Sequence, residues 1–338
     1  MTNLLYIGNN INNAKSNLSS IQVLGKKLEA EGYHLRYASS YTNKLLRLFD
    51  MAWSCIKNAQ WADAVLIDTY STQNFYYALV CSQICRIFRV SYIPILHGGN
   101  LPERLKHNRK LSKLIFNHSH INVSPSKYLK FEFEQLGYSN IECIPNTIQI
   151  ENYPVIMKNF DNIRLLWVRS FSEIYNPKMA IYVLKRLKEN GCDAQLCMVG
   201  PDADGSLATA KQLAKKWQID VTFTGKLDKK NWIRLSENYN LFINTTNFDN
   251  LPISVIEAMA LGFPIVSTNV GGLPYLISDK IDGLLVDKND IEAMTKAIIS
   301  VVNSSKLAHQ LSKHARETAE QYDWEQIKHK WFSVFATL

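Results

Sequence analysis

Asn247-Phe248-Asp249-Asn250-Leu251-Pro252-Ile253-Ser254-Val255-Ile256-Glu257-Ala258-Met259-Ala260-Leu261-Gly262-Phe263-Pro264-Ile265-Val266-Ser267 is the stretch that organises the rest of the chain. It sets an acid, Asp249, on a polar loop and a proline suited to a first helical turn at Pro252. A second acid, Glu257, lies inside an apolar helix over Ile253–Ala260, and a β-branched run follows a glycine and a proline. Loop, helix and strand in that order make one step of an α/β unit. Backbone N–H groups at a helix start lack intrahelical partners and, with the helix dipole, form a site for phosphate. Pro252 has no N–H, so Ile253, Ser254 and Val255 are the expected donors, with Asn250 and Leu251 on the loop beside them. A carboxylate facing a phosphate would repel it, so Asp249 and Glu257 are expected to contact neutral sugar hydroxyls. Two carboxylates eight positions apart around a phosphate cradle describe a nucleotide sugar held at both ends.

The same alternation extends outward from this stretch. Strand patterns fall at Leu4–Ile7, Val65–Asp68, Tyr92–Leu96, Ile121–Val123 and Glu142–Ile144, with helical periods over Leu18–Glu31, Lys44–Lys57, Asn74–Phe88, Glu103–Phe116 and Lys127–Leu136. The pattern restarts with strands at Arg164–Val168, Gln195–Val199, Val221–Phe223, Leu241–Ile243, Pro264–Ser267 and Leu284–Val286. An aperiodic segment with Pro145 and Pro154 separates the two halves. The expected domains are residues 1–150 and 160–320, with a final helix within 322–338. Both read as Rossmann-like, with mainly parallel sheets.

Three other groups stand at expected strand ends, the edge where open α/β sheets bind ligands. Arg169 ends Leu165-Leu166-Trp167-Val168, and Lys178 opens the next helix after Asn176-Pro177. Together they can neutralise a diphosphate leaving group, the Arg as a fork and the Lys as a point charge. The alternative for Arg169 is a structural ion pair. His97 precedes Gly98-Gly99-Asn100, where the glycines let backbone or ligand approach closely. Gly8-Asn9-Asn10-Ile11-Asn12-Asn13 follows the first strand.

Asp249–x7–Glu257-Ala-Met-Ala-x-Gly-x-Pro with the downstream Gly271-Gly272 resembles the retaining glycosyltransferases of family 4, which have the GT-B fold. The resemblance implies two facing Rossmann-like domains, the C-terminal one binding the nucleotide sugar and the N-terminal one the acceptor. It implies ribose contacts for Glu257, sugar contacts for Asp249 and His97, and phosphate contacts for Arg169 and Lys178. The family usually has Glu in place of Asp249 and a glycine in place of Val168. Gly200 matches the strand-end glycine near the nucleotide, and Thr222-Phe223-Thr224-Gly225-Lys226-Leu227 the loop at the base. Gly8, Asn9, Gly98, Gly99 and Asn100 fall on the acceptor side, and the last helix is expected to cross back onto the first domain.

The resemblance therefore implies a metal-independent, retaining transfer from a UDP- or GDP-sugar to a hydroxyl of a glycan or lipid-linked acceptor in bacterial surface polysaccharide or lipopolysaccharide synthesis. No cofactor is expected. A nucleotide-sugar epimerase of the same fold and a non-catalytic sugar-nucleotide-binding subunit are the alternatives. Asp202-Ala203-Asp204 is formally a D-x-D triplet, a metal signature of a different glycosyltransferase fold, and is read as a chance match.

Composition bounds the remaining classes. With 338 residues, 46% hydrophobic and 20% charged, the chain is an ordinary globular one of two-domain length. Of its net charge of +8, residues 1–150 hold +7. That asymmetry points to an anionic acceptor or membrane surface, or is an ordinary solvated surface. The basic stretch Arg104–Ile115 either docks on anionic lipid or buries its Leu/Ile stripe. The start lacks a signal-peptide pattern, and glycines and prolines interrupt the uncharged run Ala258–Ser278, so neither export nor a membrane span is expected. Six scattered cysteines without C-x-x-C pairs fit reduced thiols in a cytoplasmic protein, peripheral on the membrane's inner face at most. Aromatics interleaved with basic residues are not evident, so no nucleic acid is expected.

Overall fold

The computed structural model describes residues 2–11 and 19–338. Contacts divide the chain into two units, residues 1–145 with 328–338, and residues 146–327. Unit 1 runs β1 (Asn3–Ile7), α1 (Ser20–Ala30), β2 (His34–Ala38), α2 (Lys44–Lys57), β3 (Ala64–Tyr70), α3 (Asn74–Phe88), β4 (Ser91–His97), α4 (Leu101–His107), α5 (Arg109–Phe116), β5 (Asn122–Ser124), α6 (Lys127–Gln135) and β6 (Ile141–Cys143). Its six strands are parallel in the order β2-β1-β3-β4-β5-β6. Leu4, Leu5, Tyr6 and Ile7 are all within 1% of full burial, as expected of a central strand covered on both faces.

Unit 2 repeats the plan with β7 (Ile163–Val168), α7 (Pro177–Glu189), β8 (Ala194–Val199), α8 (Ser206–Lys216), β9 (Val221–Gly225), α9 (Lys229–Ser236), β10 (Leu241–Asn244), α10 (Ile253–Ala260), β11 (Ile265–Thr268), α11 (Leu273–Leu276), β12 (Leu284–Val286), α12 (Ile291–Val302) and α13 (Ser305–Glu320). Its parallel order is β12-β11-β10-β7-β8-β9. The uncharged run Ala258–Ser278 is core here, with Phe263, Ile265, Val266 and Leu273 fully buried. Among the described residues no helix is long and apolar enough to cross a membrane. The last helix, α14 (Trp324–Phe335), begins in unit 2, and its residues from Lys328 onward group with unit 1.

Four expectations are corrected in detail. Strand β2 is absent from the expected strands because it is a short edge strand: His34-Leu35-Arg36-Tyr37 alternates polar and apolar as its exposure does, but it lacks the continuous apolar run of the interior strands. The expected helix Glu103–Phe116 breaks at Asn108 into α4 and α5. Leu101, Leu105 and Ile115 are buried, so the Leu/Ile stripe of this basic stretch serves the core. Residues 146–161 are built into unit 2: Ile148 pairs with Asp323, and Tyr153 is 3% exposed. Helix α1 starts at Ser20 rather than Leu18, which lies outside the described residues.

The opening segment of unit 2, residues 146–161, also buries a cation. Lys158 is 8% exposed, donates to the Ser236 carbonyl at 2.9 Å and lies 4.0 Å above the Phe263 ring. Burial pushes its ammonium down to about 8. The unfolded chain holds this proton up to about pH 10.4 and so binds more protons than the folded one between about pH 8 and 10.4, where stability rises with pH. Lys158→Met removes the cost of the buried charge. We expect the variant to gain on the order of 2 kcal/mol in urea unfolding at pH 7, after loss of one hydrogen bond, and to fall about 1 kcal/mol below the wild type above pH 10.4, where only that lost bond remains.

Candidate functional site

In unit 2 the chain runs outward from β7 to β8 and β9, then returns to place β10 beside β7. Loops leaving these two strands diverge and open a crevice at the carboxyl edge of the sheet. Arg169 follows β7 and Asp249 lies on the loop after β10. The two meet there as an ion pair through Nη2 and Oδ2, with side chains 19% and 11% exposed. The guanidinium also lies 4.2 Å over the Tyr175 ring, and its Nε is buried with no hydrogen-bond partner among the described residues. The ion-pair alternative for Arg169 is thus present, with Asp249 itself as the partner. Lys178 sits half-buried in the first turn of α7, whose cap is Asn176, and has no ion pair among the described residues.

Glu257 sits mid-helix in α10, only 5% exposed. A carboxylate removed from water needs charged or hydrogen-bonding partners, and two residues the sequence reading did not single out supply them. The Tyr153 hydroxyl donates to Oε1 at 2.9 Å, and Lys229, the first residue of α9, pairs with the same oxygen. Arg316 fixes Tyr153 in turn by donating at 2.6 Å to its carbonyl and to that of Ala260. Both bonds fall on Oε1, which leaves Oε2 without a hydrogen bond among the described residues. Tyr153 and Lys229 stand 104 and 28 positions from Glu257 and in no motif with it, so only the folded chain identifies them.

The start of α10 differs in one respect from expectation. Pro252 is the cap rather than the first helical residue, and its carbonyl accepts from Val255 at 3.1 Å. The orphan donors are therefore those of Ile253 and Ser254, both half-buried, without Val255.

Glycines here make room for backbone. A Cβ on Gly272 would lie 1.6 Å from the Asn250 carbonyl oxygen, and one on Gly271 would lie 2.2 Å from that of Asp249. The Gly-Gly pair after β11 thus lets the acid-bearing loop lie down on it, closed by a Gly272 N–H donated to Asp249 at 2.9 Å. Asn250 and Leu251 are buried beneath it, 7% and 9% exposed. Gly200 has φ +152, and a Cβ there would come within 1.8 Å of the Arg169 carbonyl oxygen. Its first role is to seat Arg169. Gly225, at φ +72, accepts from the Gly200 N–H at 2.9 Å, and Leu227 packs partly buried beside the α10 core.

Asp202 and Asp204 both serve local structure. Asp202 accepts from the Gly205 N–H at 3.0 Å, and Asp204 from the Ser172 hydroxyl and Glu173 N–H at 2.8 and 2.9 Å. Hydrogen bonds led by the Ser206 hydroxyl hold the Asp204 carboxyl down to about 2.

Unit 1 has its own point of reversal, between β1 and β3. Gly8 leaves β1 there, and a Cβ on it would lie 2.5 Å from Oδ2 of Asp68 on β3. Asp68 is 4% exposed, and its Oδ1 accepts from the Tyr6 hydroxyl at 3.0 Å and lies 2.8 Å from Nε2 of His97 at the end of β4. Against that carboxylate Nε2 carries a proton, and in the neutral imidazole Nδ1 is then the acceptor. Tyr70 stacks on the imidazole at 4.7 Å. Asp68, the last residue of an expected strand, thus holds the His97 ring through that Nε2 contact. Gly98 takes φ +77, Gly99 is half-buried, and Asn100 precedes α4. The Asn9 side chain accepts from Arg47 at 3.0 Å, while Asn12 and Asn13 lie outside the described residues.

Comparison with known proteins follows the same division. The profile of the glycosyl transferases group 1 matches residues 151–318. An uncharacterized glycosyltransferase of Haemophilus influenzae is 30% identical over 209 residues, 60% of this chain and 56% of that one. The UDP-Gal:alpha-D-GlcNAc-diphosphoundecaprenol alpha-1,3-galactosyltransferase of Escherichia coli is 25% identical over 193 residues, 52% of this chain and 48% of that one. The chain thus spans about half the length of these two relatives. HepE of Anabaena, solved in complex with UDP-glucose, superposes over 100% of both chains with a TM-score of 0.80 at 15% identity. The fold is GT-B, two Rossmann-like α/β domains each with a six-stranded parallel sheet.

Proposed function

We propose, from the match of residues 151–318 to the glycosyl transferases group 1, that the chain moves a sugar from a nucleoside diphosphate, UDP or GDP, to a hydroxyl of a glycan or lipid-linked acceptor. The observation that carries this reading is Glu257. A buried carboxylate, held by Tyr153 and Lys229 through one oxygen, stands in the helix whose first N–H groups, of Ile253 and Ser254, have no partner among the described residues, at the reversal point of a parallel sheet. That is a hydroxyl acceptor beside an anion site, the two ends of a ribose diphosphate.

In this reading Glu257 takes the ribose hydroxyls, and the N–H groups of Ile253 and Ser254 with Arg169 and Lys178 take the diphosphate. As the glycosidic bond breaks, charge grows on the leaving phosphate, and donors already aimed at it favour that state. The Arg169–Asp249 pair opens to do this: the guanidinium turns to phosphate and Asp249 to sugar hydroxyls. His97, its tautomer fixed by Asp68, presents Nδ1 to the sugar. The anomeric configuration is retained, the leaving phosphate takes the acceptor's proton, and no metal or protein base is required. Unit 1 receives the acceptor. The Escherichia coli relative's name, with its diphosphoundecaprenol acceptor, supports a lipid-linked substrate, and in this reading the transfer serves surface polysaccharide synthesis at the cytoplasmic face of the membrane.

A thermal-shift screen against UDP-, GDP-, ADP- and dTDP-sugars tests the donor assignment. At one hundred times its Kd a ligand contributes about 2.7 kcal/mol, so one base should raise the melting temperature by roughly 5–10 °C. Consumption of that donor only when an acceptor is present then separates a transferase from an epimerase, which turns the donor over without one, and from a binding subunit, which consumes none. A panel without a shift contradicts the reading.

A further inference from the structure

Helix α2 carries large apolar side chains on its outer face as well as its inner one, unlike an ordinary surface helix. Met51 and Cys55 are buried and Leu48 partly so, yet Leu45, Leu46, Phe49, Trp53 and Ile56 are 69%, 53%, 71%, 62% and 40% exposed. At 3.6 residues per turn these five share one arc of about 100° and extend roughly 17 Å along the axis. Tyr41, 50% exposed, precedes the helix. Soluble surfaces rarely carry so continuous an apolar stripe without using it. Lys57 borders the arc, Lys44 is exposed at the first turn, and Arg47 is half-buried with its guanidinium fixed on the Tyr41 and Thr42 carbonyls at 2.8 and 3.0 Å.

The charge of the surrounding unit indicates what covers this stripe. Unit 1 holds 18 Lys+Arg against 9 Asp+Glu, a net of +9, whereas unit 2 holds 20 against 21. A second copy would bring two strongly cationic units together at this stripe, while an anionic lipid surface matches both its apolar and its cationic parts. The basic stretch α4–α5 has Leu101, Leu105 and Ile115 in the core and offers no such stripe.

We propose that α2 docks on an anionic membrane surface. Leu45, Phe49, Trp53 and Ile56 enter the boundary between head groups and acyl chains, and Lys44 and Lys57 meet lipid phosphates. The proposal is independent of the transfer reading, because its observations are the exposure and charge of unit 1 alone.

Flotation of the full chain with vesicles of phosphatidylglycerol and phosphatidylethanolamine, against phosphatidylcholine alone, tests it. We expect binding to the anionic vesicles at least tenfold above that to phosphatidylcholine. Phe49→Gln/Trp53→Gln should lose it at least tenfold with an unchanged melting temperature. A second measurement does not depend on that double variant: Trp53→Phe keeps the stripe, so it should float as the wild type does while losing the vesicle-induced blue shift of tryptophan emission. Absence of wild-type binding, full binding by the double variant, or an unaltered blue shift in Trp53→Phe would each overturn the proposal. So would a wild-type dimer that the double variant dissociates without change in vesicle binding, since the stripe would then belong to a second copy.

Discussion

Replacing Glu257 by Gln is expected to lower kcat/KM for the nucleotide sugar by about a hundredfold while the fold persists. Charge-assisted hydrogen bonds contribute about 1.5–3 kcal/mol each, and two ribose hydroxyls sharing one carboxylate exceed the 2.7 kcal/mol that a hundredfold represents. Gln keeps the shape of the buried side chain, so Tyr153 still has an oxygen to donate to at the position it now reaches at 2.9 Å. Lys229 loses its ion-pair partner, but its side chain is 54% exposed and can turn to water. The melting temperature should therefore fall by only a few degrees, and a hundredfold loss cannot be ascribed to unfolding. Wild-type kinetics in Glu257→Gln would remove this residue from the site.

The second large effect is expected at Arg169. Arg169→Met should reduce kcat by about 10² to 10³, the scale observed when one donor aimed at developing charge is removed. It also strands Asp249, only 11% exposed, as an unpaired carboxylate, at a cost of roughly 3 kcal/mol in stability. A double variant separates these two consequences. Adding Asp249→Asn removes the stranded charge and should restore the melting temperature without restoring turnover. Were the ion pair purely structural, stability and turnover would recover together.

The parallel architecture was legible because its determinants are local. Runs such as Leu4–Ile7 and Leu241–Ile243 are apolar on both faces and bounded by polar loops, so each announces a buried strand without knowledge of its neighbours. Edge strand β2 lacks that property, and its recognition depends on β1 beside it. The acids and glycines of the site were legible for a similar reason, since Asp249, Glu257 and Gly271-Gly272 are tied to one helix and its two flanking loops. Their physical roles were less so. Gly200 and Gly272 admit the backbones of Arg169 and Asn250, a constraint visible only once the loops are packed.

The partners of the buried charges were the least legible. Tyr153, Lys229 and Asp68 pair with residues 104, 28 and 29 positions away, and nothing in their neighbourhoods requires the pairing. One signal was nevertheless present. Asp68 lies within an otherwise apolar and β-branched strand, and an acid placed there must find a donor. The exposure of α2 was hidden too, because Met51 and Cys55 suit a core as well as Phe49 and Trp53 do, and only packing decides which side turns inward.

The central claim, that Glu257 holds the ribose of a nucleoside diphosphate in unit 2, has a direct measurement. Calorimetric titration compares the diphosphate of the preferred base with its 2′,3′-dideoxy form, in the wild type and in Glu257→Gln. The wild type should lose about a hundredfold in affinity when the hydroxyls are removed, and the variant less than threefold, because the contact is already absent. An equal loss in both proteins would show that the hydroxyls are held elsewhere and would contradict the account.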